Sequence, residues 1–411
     1  MNLPRKAQLL SDYPVWITGV GAISAAGLSA KELFRTASEG LSKASWQDFD
    51  GGHRYLSASI SEIDHLSSRK GAFSRLDRVS QLAGLAVEEA VDQAGITTNH
   101  PRTGVIFGSS RGTFSKYLEA VEATRHRRIS PLLAANGIAA SISGSIAHRW
   151  KLESHSATVS TACASAAHAI ACAAERIILG DADTMITGGT EACLHPAVLG
   201  PLAAAGVLGS HADDALACRP FDLDRNGLVP GEGAGCLVLE AAETASKRGA
   251  RPIAFLRGWA TKTDLGGRTG VTVDGSSLLA TMSEAVRLAG LSADQIDYIS
   301  AHGTGTKLND LTEAKAIAKF QCDATRPIPV SSTKPVTGHC LGATPALEAI
   351  ITISALDSCI LPPTVGCLSQ DPECQIALVT AGSLKKSAQV ALLNSLGFWG
   401  NLATLVIQSA R

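Results

Sequence analysis

The stretch Ser156-Ala157-Thr158-Val159-Ser160-Thr161-Ala162-Cys163-Ala164-Ser165 reads as a strand that runs through a turn of small residues into a helix. The helix begins at the cysteine, continues through the alanine-rich segment Ala164 to Leu179, and closes at Gly180. A thiol in that position feels the positive end of the helix dipole, which lowers its pKa and favours the reactive thiolate. Taken alone, Cys163 is as readily a buried structural cysteine. On either side lie further apolar strands. Thr103 to Phe107 precedes it and opens into the loop Gly108-Ser109-Ser110-Arg111-Gly112; Asp183 to Thr187 follows it and ends in Gly188-Gly189. Alternating strands and helices predict a layered α/β architecture.

Further outward the pattern holds. Val15 to Val20 reads as a short strand that breaks at Gly19 and Gly21, Arg78 to Ala94 as an amphipathic helix ending at Gly95, and Cys236 to Leu239 as an apolar strand. Arg257, Gly258 and the Gly266-Gly267 stretch read as loop. A second series then repeats the theme. It comprises helix Ser277 to Ala289, strand Tyr298 to Ala301, helix Thr312 to Phe320, strand Pro329 to Ser331 and helix Thr344 to Leu356. Strands Val390 to Leu393 and Thr404 to Gln408 end it. The sequence therefore predicts two similar halves, residues 1–250 and 251–411.

The 411 residues are 45% hydrophobic but only 4% aromatic, with 39 glycines, and small side chains permit the close helix–sheet approach of a layered fold. Lys and Arg number 36 against 37 Asp and Glu, a net charge of −1, so no global field draws the chain to nucleic acid or an anionic membrane. Met1 to Lys6 starts no signal peptide, and no apolar run is long enough to insert in a membrane. The ten cysteines lack metal-ligand spacing, Cys359, Cys367 and Cys374 being the nearest to a cluster. A reduced, cytoplasmic protein is the expectation.

Two more segments carry candidate chemistry. His302-Gly303-Thr304-Gly305-Thr306 follows a strand directly and would project its histidine into a cleft; a capped loop histidine is the plainer alternative. Ser331-Ser332-Thr333-Lys334-Pro335-Val336-Thr337-Gly338-His339 places a lysine and a histidine on one short loop. The apolar helix that follows carries a single carboxylate, Glu348. If buried it needs a cation, for which Lys334 is the candidate; a surface lysine and a solvated glutamate remain the alternative. One thiol, two imidazole donors and a charge-setting lysine suit carbon–carbon bond formation from thioesters.

With these segments in view, the chain resembles the elongating β-ketoacyl-[acyl carrier protein] synthases of the thiolase superfamily, over about Val15 to Ile407. The resemblance rests on the segment around Cys163, Gly188-Gly189-Thr190-Glu191, Arg219 to Gly227, Gly231-Glu232-Gly233-Ala234-Gly235, the blocks His302 to Glu313 and Ser332 to Glu348, and Asn394-Ser395. It implies the thiolase fold, two βαβ-rich halves in an α-β-α-β-α arrangement, with the nucleophile in the first half and both histidines in the second. It also implies a decarboxylative Claisen condensation of a malonyl-carrier thioester with an acyl group held on Cys163. His302 and His339 would support decarboxylation, Lys334 and Glu348 would organise them, and the amides of Cys163 and Phe398 would form the oxyanion hole. The resemblance calls for no metal or organic cofactor, since the phosphopantetheine of an acyl carrier protein brings both substrates. The other implied partner is a second subunit, identical or like a chain-length factor.

Three departures from the family pattern stand out. Trp399 replaces a glycine of the gate loop Gly397-Phe398-Trp399-Gly400-Asn401-Leu402, adding bulk and removing freedom. Pro345 enters the turn after His339, where a first helical turn tolerates it. Arg111 stands where the family has a small or apolar residue near the acyl pocket, with Leu133 and Gly137 expected beside it. It is expected to end in the pocket or in a cross-subunit ion pair, with an acidic or carbonyl partner, the alternative being an outward-pointing side chain. Gly137 would leave room for the guanidinium or for a partner's residue. These departures point to a specialised fatty acid, polyene or polyketide pathway. A biosynthetic thiolase would need a second cysteine between Asn394 and Leu402, where none occurs, and a starter-type synthase would have Cys-His-Asn. A non-catalytic partner subunit is the reading from another class, and the intact Cys163, His302 and His339 weigh against it.

Overall fold

Among the described residues eleven strands join into one mixed sheet. They are β1 (Val15–Ser24), β2 (Thr103–Gly108), β3 (Ser156–Val159), β4 (Thr184–Glu191), β5 (Gly233–Ala241), β6 (Ala254–Thr263), β7 (Tyr298–Ser300), β8 (Pro329–Ser331), β9 (Ala377–Leu378), β10 (Val390–Gly397) and β11 (Asn401–Ser409). A computed structural model describes residues 3–12, 14–61, 76–96, 101–125, 129–267 and 271–411. The sheet order is β9-β8-β7-β10-β11-β6-β1-β5-β4-β2-β3. The first half runs β3-β2-β4-β5-β1, and reading the second half outward-in gives β8-β7-β10-β11-β6, the same order of chain positions. Strand senses match as well. The pairs β2–β3 and β2–β4 are parallel, as are β7–β8 and β7–β10, while β4–β5, β1–β5, β10–β11 and β6–β11 are antiparallel. The halves meet where Val15, Trp16 and Ile17 pair with Leu256, Phe255 and Ala254.

Helices complete five layers. Helix α1 (Arg78–Ala94) covers the outer face of β1, β4 and β5. Helices α2 (Ser165–Ile178) and α5 (Thr344–Ser358) lie between the half-sheets, each touching strands of both. Helix α3 (Ser276–Leu288) covers β6 and β11 and packs on α4 (Lys307–Gln321). The core divides accordingly into a central cluster around α2 and α5 and two outer clusters around α1 and around α3 with α4. The central layer must face sheet on both sides, and α2 meets that demand with Ala166, Ala167, Ala169, Ala171, Ala173 and Ala174, all buried. This is the physical reason for so many small residues and so few aromatics.

Glycines expected to break strands instead lie inside them. A Cβ on Gly19 or Gly21 would fall 2.2 Å from the Ala90 carbonyl oxygen or 2.1 Å from that of Ala86, so β1 continues to Ser24 beneath α1. Gly258, expected in a loop with Arg257, is mid-strand in β6, and its Cβ would lie 2.4 Å from the Ala285 oxygen of α3. Both halves thus use strand glycine for the same close helix approach. Helix α4 begins at Lys307, earlier than expected, and so includes Asp310. Helices Leu3–Asp12, Ala30–Glu39, Phe114–Arg125, Ser141–Trp150 and Pro196–Ala204 had no counterpart in the sequence reading. Among the described residues no helix is long and apolar enough to cross a membrane.

Substituting Gly258→Ala forces α3 away from the sheet and costs about 1–3 kcal/mol. Urea unfolding is expected to show a lower midpoint at unchanged slope.

Candidate active site

Parallel strands of both halves end on one side of the sheet, and the chemical residues follow those ends, where open α/β sheets bind ligands. Arg111 follows β2, Cys163 follows β3, His302 follows β7, Lys334 and His339 follow β8, and Phe398 follows β10. A cavity of about 590 Å³ brings Cys163, His302, His339, Arg111, Phe398 and Trp399 together.

Cys163 is 8% exposed and sits just before α2, with the preceding Ala162 in the left-handed region at φ 50°. The strained elbow is held by the Ser165 hydroxyl, which accepts from the Thr161 amide at 2.9 Å and donates to the Ala162 carbonyl at 2.6 Å. The expected depression of the thiol pKa is corrected by the structure. Burial pushes the thiol up to about 12, outweighing the lowering by Lys334 and Arg111. The resting group is a neutral thiol.

His302 is fixed through its backbone. Its amide donates to Glu313 Oε1 at 2.8 Å, the next amide donates to Glu313 Oε2 at 2.7 Å, and its carbonyl accepts from Lys334 Nζ. His339 donates its amide to the Val229 carbonyl at 2.7 Å and accepts at its own carbonyl from Gly231 at 3.0 Å. Its Nδ1 lies 3.0 Å from the Thr344 hydroxyl. The two rings meet edge to face, centroids 5.4 Å apart and planes at 82°. Burial, and then the nearby Lys334 ammonium, hold both imidazoles well below the usual histidine range; His339 adds to the depression at His302. Both are neutral at pH 7.

Lys334 and Glu348 are buried, and Nζ reaches Glu348 Oε1 at 2.6 Å. The alternative of a surface lysine and a solvated glutamate is thereby excluded. Burial raises the Glu348 carboxyl to about 7 against the opposing pull of Lys334. Pro345 lies in the first turn of α5, which runs unbroken over it to Ser358.

The gate segment touches the nucleophile elbow. A Cβ on Gly397 would come 3.1 Å from the Cys163 amide nitrogen and 2.8 Å from the Thr161 oxygen. Phe398 packs in the small apolar cluster that contains Cys163, Leu202 and Leu341. Trp399 takes a left-handed φ of 63° and is 65% exposed, so the substituted residue keeps a glycine-like backbone and turns its bulk toward solvent. The Asn401 side-chain Nδ2 donates to the Phe398 carbonyl at 2.8 Å, and the Asp264 backbone amide to the Gly400 carbonyl at 2.7 Å.

Arg111 lines the cavity, without the acidic or carbonyl partner expected for its guanidinium among the described residues, and Leu133 and Gly137 do not line it. Those two belong to the short helix Leu133–Asn136 and its cap, and a Cβ on Gly137 would meet the Leu133 carbonyl at 2.7 Å. That glycine accommodates its own helix in this chain, not the guanidinium.

Sequence reasoning assigned no role to two buried carboxylates that hold the loops. Glu191, at the end of β4, accepts from the amides of Ser110 at 2.7 Å, Arg111 at 3.1 Å and Gly342 at 3.1 Å. Glu313 clamps His302 as described. An acid ending an otherwise apolar strand, and one on the buried face of α4, were the available signals. All ten cysteines are free, and among the described residues no group of three His, Cys, Asp or Glu side chains is placed to hold a metal ion.

Against this geometry stand the comparisons with known proteins. The family Beta-ketoacyl synthase, N-terminal domain, matches residues 12–245, and its C-terminal domain matches residues 253–368. The chain belongs to the β-ketoacyl synthase family of the thiolase superfamily. It is 34% identical to 3-oxoacyl-[acyl-carrier-protein] synthase 2 of Staphylococcus aureus, over 95% of this chain and 100% of that one. It is also 34% identical to Nodulation protein E of Rhizobium sp. strain N33, over 97% of this chain and 99% of the relative. Among solved structures, the ishigamide ketosynthase/chain length factor superposes with a TM-score of 0.88 at 30% identity, covering 97% of this chain and 99% of that chain. A type II PKS acyl-carrier protein in complex with its ketosynthase bound to the hexaketide gives a TM-score of 0.88 at 27% identity, with the same coverage.

The buried thiol makes a reactivity prediction. Thiolate is the alkylating form, so a pKa near 12 means that Cys163 modification by iodoacetamide climbs about tenfold per pH unit with no plateau by pH about 10. Peptide mass mapping is expected to show the exposed Cys322 modified first at every pH.

Proposed function

We propose that this protein is a β-ketoacyl-[acyl carrier protein] synthase that condenses a malonyl-carrier thioester with an acyl group held on Cys163, in a fatty acid or polyketide pathway. The observation that carries the reading is the buried pair of neutral imidazoles, His302 and His339, sharing one cavity with the Cys163 thiol. The half up to residue 250 supplies the nucleophile and the half from 251 supplies the histidines.

In the first step the Cys163 sulfur attacks the acyl-carrier thioester. The acyl–sulfur bond moves to Cys163, and the thiol proton ends on the departing pantetheine sulfur. A malonyl thioester then enters, and loss of carbon dioxide leaves the bonding pair as an enolate. Imidazole N–H groups stabilise the enolate oxygen. This task requires the Nε2–H tautomer of His339, and in that tautomer Nδ1, 3.0 Å from the Thr344 hydroxyl, accepts from it. The enolate carbon attacks the acyl carbonyl, and the amides of Cys163 and Phe398 hold the resulting oxyanion. Collapse expels the Cys163 thiolate, which regains a proton from solvent, and releases a β-ketoacyl thioester two carbons longer. No metal or organic cofactor enters these steps. Lys334 and Glu348 position the histidines and set their charge.

The partners on this reading are an acyl carrier protein and a second subunit, identical or like a chain-length factor, and the compartment is the cytoplasm. Leu133 and Gly137, outside this chain's cavity, would act across that subunit boundary.

Intact-mass measurement after incubation with acyl-carrier thioesters tests the reading. The wild type gains one acyl mass and Cys163→Ala gains none. His302→Ala and His339→Ala each lose about 10²–10³-fold in malonyl decarboxylation while still loading acyl groups. Acyl uptake by Cys163→Ala, or normal condensation by both histidine variants, would refute the assignment.

A further inference from the structure

The cavity that contains Cys163 also contains a cation. Arg111 is exposed along its lining, and its guanidinium makes no hydrogen bond or ion pair among the described residues. Its position follows from strand register. Gly108 of β2 pairs in parallel with Val159 of β3, so the two chains leave the sheet side by side, one toward Arg111 and the other toward Cys163. They stay joined beyond the sheet, where the Ser109 amide donates to Val159 at 3.0 Å and the Ser160 hydroxyl donates to the Ser110 carbonyl at 3.3 Å.

The backbone at Arg111 is fixed while its side chain is not. Glu191 accepts from the amides of Ser110 and Arg111, and its hydrogen bond to the Ser109 hydroxyl, at 3.2 Å, tightens the same turn. The Ser109 hydroxyl in turn accepts from the Gly112 amide at 3.0 Å. The guanidinium is thus held beside the nucleophile loop on a rigid base, with its five donors uncommitted to protein. The cavity lining includes the apolar side chains of Leu202, Ala205, Val207 and Leu341. A plain alkyl chain entering this space would desolvate a cation and give it nothing in return.

We propose that Arg111 is a specificity-determining residue that selects acyl groups carrying an oxygen acceptor, a keto oxygen or a carboxylate, over plain alkyl chains of equal length. This rests on the synthase reading given above. The phosphate of a carrier's pantetheine arm is the other anion the cavity admits, but it lies a full extended arm from the reacting sulfur. Arg111 lies close enough for its charge to be felt at the Cys163 thiol.

Thioesters of N-acetylcysteamine, which lack the phosphate, separate the two. Octanoyl, 3-oxooctanoyl and 7-carboxyheptanoyl thioesters are incubated with the wild type, Arg111→Met and Arg111→Lys, and the rate of mass gain at Cys163 is followed. The wild type is expected to favour at least one oxygenated chain over octanoyl. Arg111→Met lowers that oxygenated-to-plain ratio about ten- to a hundredfold, the range for a hydrogen bond to a charged group, and Arg111→Lys falls between. An equal ratio in wild type and Arg111→Met overturns the proposal, as does a shift in subunit assembly by light scattering without a shift in ratio. A wild type that loads none of the thioesters refutes the synthase reading itself, and the proposal with it.

Discussion

The Lys334 ammonium is the interaction on which the site depends. A charge with no solvent exposure is tolerable only when its partners replace water, and here two do: the Glu348 carboxylate and the His302 carbonyl. The same ion therefore ties α5 to the loop after β7 and reaches the catalytic geometry through the backbone of one histidine. Its field has a second effect. After burial itself, it is the largest influence keeping both imidazoles unprotonated. A neutral ring donates one N–H to a developing oxyanion and keeps its other nitrogen as an acceptor. The cost is a buried pair whose partners cannot be removed singly, because an orphaned Glu348 would be left about 3–5 kcal/mol less stable or forced to protonate.

Repetition of one topology explains how the groups converge. Each half presents the carboxyl ends of its parallel strands to the same side, and the half-sheets are held back to back by the central helices α2 and α5. Equivalent positions then face one another. The loops after β3 and β8 carry Cys163 and the pair Lys334 and His339, and those after β2 and β7 carry Arg111 and His302. Buried carboxylates fasten these loops: Glu191 joins the first half's loop to the turn after His339, and Glu313 holds His302. Burial raises both carboxyls to about 7, so the cost of desolvation outweighs the several amide donors that favour the charged form.

Much of this was legible in the chain. Strand–turn–cysteine–helix, histidine after an apolar strand, and lysine and histidine on one loop were all readable because each element is short and bounded by small residues. The strand glycines misled, because Gly19, Gly21 and Gly258 look like breaks along the chain and act as contact points across it. The thiol's charge state was misjudged for a similar reason. A helix terminus is visible in sequence, whereas the burial that outweighs it comes from Leu341, Phe398 and Leu202 on distant segments. Helix Phe114–Arg125 carries Phe114, Tyr117, Leu118 and Val121 at helical spacing, yet it buries none of them in the single chain, so the sequence alone does not say what that stripe faces. The placement of Leu133 and Gly137 outside the cavity has the same origin, since nothing local to that segment says which surface it serves.

The central claim is that two neutral imidazoles, kept so by burial and Lys334, carry decarboxylation. The most direct measurement is the pH profile of malonyl-thioester decarboxylation by Cys163→Gln, in which the thiol's own titration is removed. With both histidines held well below their ordinary value near 6.5, the rate should stay flat from pH about 8 to below pH about 6. Loss of half the rate at or above pH about 6.5 would mean that the rings titrate as solvated histidines, and would contradict the account.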